Sequence, residues 1–217
     1  MSLAWVLYNG ENDGKVMPNK AWSLRTTEVY NTNQTWVRGW MRPEDRADNT
    51  NTVFLQTSHV WPYVPSLDIW KCPADKSTSK HGGVAYPRVR STGMNSLIGT
   101  FERDFWSPQL RIFNKEADFV DPVKTFVLAD ISEESIRSGG FGFHEQNLHA
   151  LPSTSSLVWA TVPASRHSGA GTFTFADGHA EIHRWTDPRT AKALGYVTAS
   201  PNNRDLLWLI ERTTSRK

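Results

Sequence analysis

Residues 166–185, with the sequence RHSGAGTFTFADGHAEIHRW, constrain the fold more than any other segment of the chain. Asp177 and Gly178 both tolerate a positive φ angle, so this pair predicts a two-residue hairpin turn. Because side chains alternate along a strand, the resulting register predicts one core face, made of Phe173, Phe175, Ala180 and Ile182. It also predicts one polar face, made of Thr172, Thr174, His179, Glu181 and His183. The segment is thus expected to form an amphipathic β-hairpin.

The polar face of this hairpin is a candidate metal site. His179, Glu181 and His183 occupy alternate positions of one strand, at a spacing of about 6.5–7 Å. Imidazole and carboxylate groups bind zinc, and a catalytic site needs a further protein ligand and an open position. His167 or Asp130 are candidates for that ligand. The alternative is a solvent-facing polar row, which we favour because the segment contains no thiolate ligand.

The composition is that of an ordered, loop-rich domain. A chain of 217 residues is long enough to bury a substantial core, and no change in composition marks a linker, so one domain spanning 1–217 is expected. The net charge of +2 and the scattered basic residues exclude a nucleic-acid groove. Cys72 is the only cysteine; beside Pro73 it is interpreted as a small buried residue at a turn.

The two ends of the chain carry helical patterns. Leu3, Val6 and Leu7 share one helical face in MSLAWVLYNGENDG, and the glycine and asparagine that follow are stop signals. Residues 1–9 are therefore predicted to be the last turns of a longer helix, with Met1 and Ser2 added by cloning. At the other end, DLLWLIERT predicts a short C-terminal helix.

A calcium loop is a weaker possibility after the first helix. The spacing of Asn9, Glu11, Asp13 and Gly14 half-resembles such a loop, but Lys20 occupies the position that needs a bidentate glutamate. We predict no cofactor, with calcium or zinc as the metals to consider.

The chain resembles the prepilin-type processing-associated H-X9-DG proteins. His167 is followed, after nine residues, by Asp177 and Gly178 in RHSGAGTFTFADGH. The segments LAWVLYNGENDGKVMPN, WKCPADKS, VRSTGMN, TFVLADISEESIRSGGF and DLLWLIERT are similar to the family in the same order, and Asp130 stands in its acidic position at the end of a strand. The resemblance covers nearly all of the chain.

This resemblance implies an α+β, pilin-like fold: the remnant of an N-terminal helix packed on an antiparallel sheet, with long loops and a short C-terminal helix. It implies a non-enzymatic subunit of a type II secretion or type IV pilus-like system, with other pilins or secretion components as partners. The domain would lie on the periplasmic or extracellular side of the cell envelope. The family's cleavage site and anchor are not in this sequence, so membrane attachment would be through a missing N-terminal helix. The motif residues His167, Asp177, Gly178 and Asp130 are expected to be structural.

Two other functions compete with this one. The first is an extracellular glycan- or peptide-binding module, in which Trp36, Trp40 or Trp61 would stack on the ligand, although most of the ten tryptophans are expected in the core. The second is a metal-dependent hydrolase that uses His179, His183 and Asp130, with Glu181 as the general base. We rank the hydrolase last because the sequence contains no further catalytic motif.

Overall fold

The computed structural model describes residues 1–20, 33–100, 110–144, 147–148, 154–193 and 198–215. Its strands are β1 (Thr78–His81), β2 (Val84–Pro87), β3 (Thr92–Asn95), β4 (Phe126–Asp130), β5 (Gly140–Phe141), β6 (Val158–Trp159), β7 (Ala170–Phe175), β8 (Ala180–Arg184) and β9 (Thr198–Ala199). A five-stranded sheet has the order β5-β3-β4-β7-β8, and β1-β2 and β6-β9 form separate pairs. Adjacent strands are antiparallel except β3 and β5, which are parallel.

The strands are flanked by the α-helices α1 (Ser2–Glu11), α2 (Val53–Gln56) and α3 (Arg204–Glu211). Helix α1 ends two residues beyond the predicted 1–9. Helix α3 begins at Arg204, one residue before the predicted segment, and Asn203 caps it by accepting hydrogen bonds from the amides of Asp205 and Leu206. None of the helices described is long and apolar enough to cross a bilayer.

The central sheet separates two hydrophobic cores. The first packs α3 against the sheet and includes Phe126, Phe141, Phe173, Phe175, Leu206, Leu209 and Ile210. The second packs α1 and the 33–70 region against the sheet and includes Ala4, Trp5, Trp36, Trp70, Met94 and Val127. The neighbouring β4 residues Phe126 and Val127 belong to different cores, as alternation along a strand requires. Strand β4 is buried throughout, which explains why its residues are apolar up to the final Asp130.

The hairpin forms where the sequence predicted, but its predicted register is wrong by one residue. Thr174 pairs with Ala180, and the Phe175 carbonyl accepts a hydrogen bond from the Gly178 amide at 3.0 Å. The loop therefore has three residues, with Gly178 at φ 92° closing the turn. A one-residue slip exchanges the faces of β8. Ile182, predicted in the core, is 67% exposed, whereas Glu181 and His183 are half-buried.

The observed elements confirm the α+β class, with a mostly antiparallel sheet and few helices. Helix α1 lies over the hairpin end of this sheet. The Trp5 indole donates to the Ala176 carbonyl at 3.1 Å, and a Cβ added at Gly178 would come within 3.0 Å of Val6 Cγ2. The N-terminal helix is thus packed on the sheet, as expected.

Candidate functional site

The structure brings His167 into contact with Cys72. His167 Nε2 lies 3.3 Å from Cys72 Sγ, although the two residues are 95 positions apart in sequence. Asp130 completes the group: one ligand atom from each of the three side chains lies within 4.8 Å of the others. We call Cys72, Asp130 and His167 the Cys-Asp-His cluster.

Three segments of backbone position this cluster. Cys72 follows the 3-10 helix Asp68–Trp70, and its amide donates to Ser91 Oγ at 2.9 Å. The Ser91 carbonyl accepts from the Ile131 amide at 2.7 Å, which brings the Cys72 loop to the end of β4. His167 belongs to the turn that precedes β7. The cluster therefore lies at the opposite end of β7 from the Asp177 turn.

Arg166 is the centre of the charged groups around the cluster. Its Nη1 donates to Asp130 Oδ2 at 2.8 Å, and its Nη2 donates to Glu133 Oε2 at 2.7 Å and to the Ile131 carbonyl at 3.0 Å. The same Nη2 lies 3.4 Å from Asp75 Oδ2. The side chains of Asp75 and Asp130 are only 2% and 4% exposed. Arg166 therefore neutralises carboxylates that have been removed from water.

Burial has the largest effect on the pKa of Asp130. It raises the pKa of this carboxyl above its ordinary value, and the Arg166 guanidinium opposes the shift without cancelling it. Burial also lowers the pKa of Arg166, but Asp130, Asp75 and Glu133 outweigh this effect and the net shift is upward. Asp130 Oδ1 is buried and has no hydrogen-bond partner in the described part of the chain. One carboxylate oxygen is thus paired with Arg166, and the nearby Ser91 hydroxyl also lowers the pKa of this carboxyl.

A surface cavity of about 400 Å³ opens beside Cys72. Its lining includes Lys71, Cys72, Asp75 and Arg88. The Lys71 amine lies 4.0 Å from Asp75 Oδ1 and donates to the Ser77 carbonyl at 3.0 Å. Cys72 is half-buried, so a small solute can reach this side of the cluster from solvent.

The predicted metal row on β8 does not come together as a site. His179 stacks on Phe175 with the ring centroids 4.4 Å apart, and its Nδ1 lies 2.6 Å from Asp177 Oδ1. His183 stacks on Trp208 of α3 at 3.7 Å. Among the residues that the structure describes, only the Cys-Asp-His cluster groups three or more side chains suited to a metal. His179, Glu181 and His183 are therefore not joined by Asp130 in the way that the hydrolase hypothesis requires.

Asp177 lies in the three-residue turn of the hairpin. Its Oδ1 accepts from the His179 amide at 3.2 Å, as expected for an aspartate that closes a turn. Desolvation raises the pKa of Asp177, but the hydrogen bonds from the side chain and backbone of His179 outweigh it, so the net shift is downward.

The proposed ligand-stacking tryptophans differ in their exposure. Trp36 is wholly buried, stacks on Trp70 at 5.4 Å and donates its indole N–H to the Gly139 carbonyl at 2.9 Å. Its assignment as a ligand-binding residue is wrong, since it belongs to the core. Trp40 and Trp61 are each half-buried. Their role in binding a glycan or peptide stays a prediction.

The proposed calcium loop is the turn that ends α1. The Asn9 carbonyl accepts from the amides of Asn12 and Gly14 at 3.2 and 2.9 Å. The Asn9 side chain donates to Glu116 Oε1 at 3.2 Å. These backbone and side-chain hydrogen bonds account for the turn, and calcium binding there stays a prediction.

A second exposed feature lies on α1. The stripe of Leu3, Val6 and Leu7 is 61%, 44% and 40% exposed, whereas Ala4 and Trp5 of the same helix are buried. We call these three residues the α1 stripe. The helix thus carries apolar residues both towards the core and towards solvent.

Sequence reasoning missed the Cys-Asp-His cluster. It treated Cys72 as an isolated turn residue because no activating group lies near it in sequence. The three residues of the cluster lie in separate segments, each of which resembles the H-X9-DG proteins. This shared resemblance was the available sign that the segments could meet in the fold. No family model, curated protein or solved structure matches the chain, so membership of the H-X9-DG family stays a prediction.

Proposed function

We propose that the chain is the globular domain of a non-enzymatic, pseudopilin-like subunit of a type II secretion or type IV pilus-like system. It would act on the periplasmic or extracellular side of the cell envelope, anchored in its full-length precursor to the inner membrane through a preceding helix. The observation that carries this proposal is the exposed α1 stripe on a helix whose other side is buried in the domain.

The α1 stripe has the spacing of a helix-packing surface. Leu3, Val6 and Leu7 stand at positions i, i+3 and i+4, which lie next to each other on one side of a helix. Removing apolar surface from water is favourable by about 25 cal/mol per Å². Burial of the α1 stripe would therefore stabilise a second helix that packs against it. In a pilin-like assembly that second helix belongs to another copy of the subunit.

The packing of α1 also suits an assembly element. Trp5 and Ala4 fix the helix to the domain, and the Trp5 indole joins it to the hairpin turn by donating to the Ala176 carbonyl at 3.1 Å. A rigidly held helix passes on the orientation of the domain to its neighbours. Assembly through α1 would therefore arrange the globular faces of successive subunits in a regular way.

The proposal is tested in the native host with the complete gene product. A photo-crosslinking amino acid is placed at Leu3 or Leu7, and at Val120 as a control of matched exposure, 64%. We expect crosslinked oligomers from the two stripe positions and monomer from Val120. Monomer at all three positions, together with a wholly soluble protein on membrane fractionation, would refute the assembly function.

The native coding sequence upstream of Leu3 provides an independent test. We expect a short basic leader, a glycine and an apolar helix of roughly 20 residues, the length that spans a bilayer. A gene that begins at Met1 would remove the anchor and with it the assembly mechanism.

A further inference from the structure

We propose that Cys72, Asp130 and His167 bind one zinc ion. The inference is independent of the assembly function, because it rests on a cluster at the opposite end of β7 from the contact between α1 and the turn. It concerns different residues from the His179, Glu181 and His183 row.

The distances are close to those of a zinc site. Zn–S and Zn–N bonds of about 2.3 and 2.0–2.1 Å in a tetrahedral arrangement place sulfur and nitrogen about 3.6 Å apart. Cys72 Sγ and His167 Nε2 are 3.3 Å apart. The Asp130 oxygen, within 4.8 Å of both, needs to approach by about 1 Å to complete three ligands. Small side-chain adjustments are therefore enough to form the site.

The donor atoms select zinc over hard cations. A thiolate and an imidazole are ligands that zinc prefers, whereas calcium and magnesium take oxygen ligands almost exclusively. Binding converts the Cys72 thiol to a thiolate, and its proton leaves to solvent. Neutral His167 coordinates through a ring-nitrogen lone pair, and Asp130 through an oxygen that Arg166 does not occupy.

The charge around the cluster supports a bound cation. Asp75, Asp130 and Glu133 face Arg166, and the further cation Lys71 lies at the edge of the group beside Asp75. The buried Arg88 is a third cation of this group and donates to the Glu133 carbonyl at 2.8 Å, so the three carboxylates are balanced before the Cys72 thiolate forms. Zinc offsets the charge of the Cys72 thiolate and gives the buried Asp130 Oδ1 a direct partner. Arg166 holds the other oxygen and so orients the carboxylate as an outer-shell partner.

A nucleophilic cysteine fits the same residues less well. In a catalytic triad the third group orients the histidine, but Asp130 is hydrogen-bonded to Arg166. The Cys72 amide donates to Ser91 Oγ and is therefore not free to stabilise an oxyanion. With three protein ligands, zinc retains a fourth position for water or a small solute, and the cavity beside Cys72 provides the entry path.

The test uses the tag-free, reduced, metal-free chain titrated with zinc, and with cobalt as a spectroscopic substitute. We expect one zinc per chain, a rise in melting temperature with zinc that calcium does not produce, and a thiolate-to-cobalt absorption band. Cys72→Ser and His167→Gln should each weaken zinc binding by more than about 100-fold, beyond the loss typical of outer-shell changes. His183→Gln, which changes a histidine outside the cluster, should bind like the original chain.

Two results would overturn the site. One is wild-type chain that takes up less than a tenth of an equivalent of zinc; the other is Cys72→Ser binding zinc as tightly as the original chain. If the variants do not fold, the unaltered chain still decides the question, because zinc must protect Cys72 from a thiol reagent. Equal rates of thiol modification with and without zinc would also refute the site.

Discussion

Arg166→Met is expected to destabilise the fold strongly, because Arg166 is the cation shared by the carboxylates around the cluster. Methionine keeps much of the side-chain volume but removes the donors to Asp130, Glu133 and the Ile131 carbonyl. Asp75 and Asp130 then remain buried without their principal counter-ion. Glu133 is 44% exposed and can be solvated instead, so most of the cost arises from the two aspartates.

The size of the effect follows from burial. Removing one partner of a buried ion pair costs about 3–5 kcal/mol, since the other charge is left uncompensated. For a chain of this length each kcal/mol corresponds to about 2–4 °C, so the melting temperature should fall by roughly 6–20 °C. Lys124→Met provides the control: it removes an ion pair to Asp121 of 3.0 Å whose side chains are 69% and 46% exposed. We expect the control to change stability by less than about 1 kcal/mol.

The pH dependence of the Arg166→Met effect tests the mechanism. Arg166 lowers the pKa of Asp130, so its loss should raise that pKa further above its ordinary value. Protonated Asp130 carries no buried charge, and the deficit of the variant relative to wild type should therefore shrink as the pH falls from 7 through the raised pKa. The assay is denaturant unfolding of the metal-free proteins at a series of pH values. A loss equal to that of Lys124→Met, or a deficit that grows on acidification, would refute the reasoning.

Three further predictions concern the hairpin and the core. Gly178→Val should cost about 2 kcal/mol or more in thermal unfolding, because valine opposes φ 92° and its Cβ would lie 3.0 Å from Val6 Cγ2; it should lower the melting temperature more than His183→Ala. Burial lowers the pKa of His183 below 6.5, so the native state should lose stability as the pH falls below that value, and His183→Gln should flatten this dependence. Trp36→Ala should cost about 3–5 kcal/mol in denaturant unfolding, and Trp61→Ala much less.

Each of these predictions has an outcome that would contradict it. Equal melting temperatures for Gly178→Val and His183→Ala would show that the turn does not need a positive φ. A pH profile that His183→Gln leaves unchanged would assign the acid sensitivity to another group. Trp36→Ala with wild-type stability would conflict with its complete burial.

Local patterns were enough to predict the helices at both ends, and the apolar run before Asp130 agrees with the strand that the family resemblance implied there. In each case the information lies within a few residues: the spacing of Leu206, Leu207 and Ile210, or the apolar run of β4. The hairpin register was not predictable from the same kind of signal. An Asp-Gly pair supports both a two-residue turn and the three-residue turn observed. The three-residue turn places Glu181 and His183 on the same face of the sheet as Phe173 and Trp208. Packing on that face, which no local pattern encodes, decides between the two turns.

The cluster was beyond sequence reasoning for a related reason. Cys72 and His167 meet only because the Ser91 hydrogen bonds bring a loop to the end of β4, and β7 lies beside β4. No spacing within a single segment encodes that contact. The buried position of Arg166 could not be predicted either, since an arginine in a loop is usually solvated.

The nine residues between His167 and Asp177 set the distance between the two ends of the motif. They contain all of β7, whose six residues extend about 20 Å, and they separate the thiol contact of His167 from the turn beneath α1. Inserting or deleting one residue would turn every side chain beyond it to the opposite face of the sheet. Phe173 and Phe175 could then not both remain in the core while His167 still reached Cys72. The fold therefore fixes the number of residues between His167 and Asp177. Substitutions are tolerated only at positions whose side chains contact neither end of the motif.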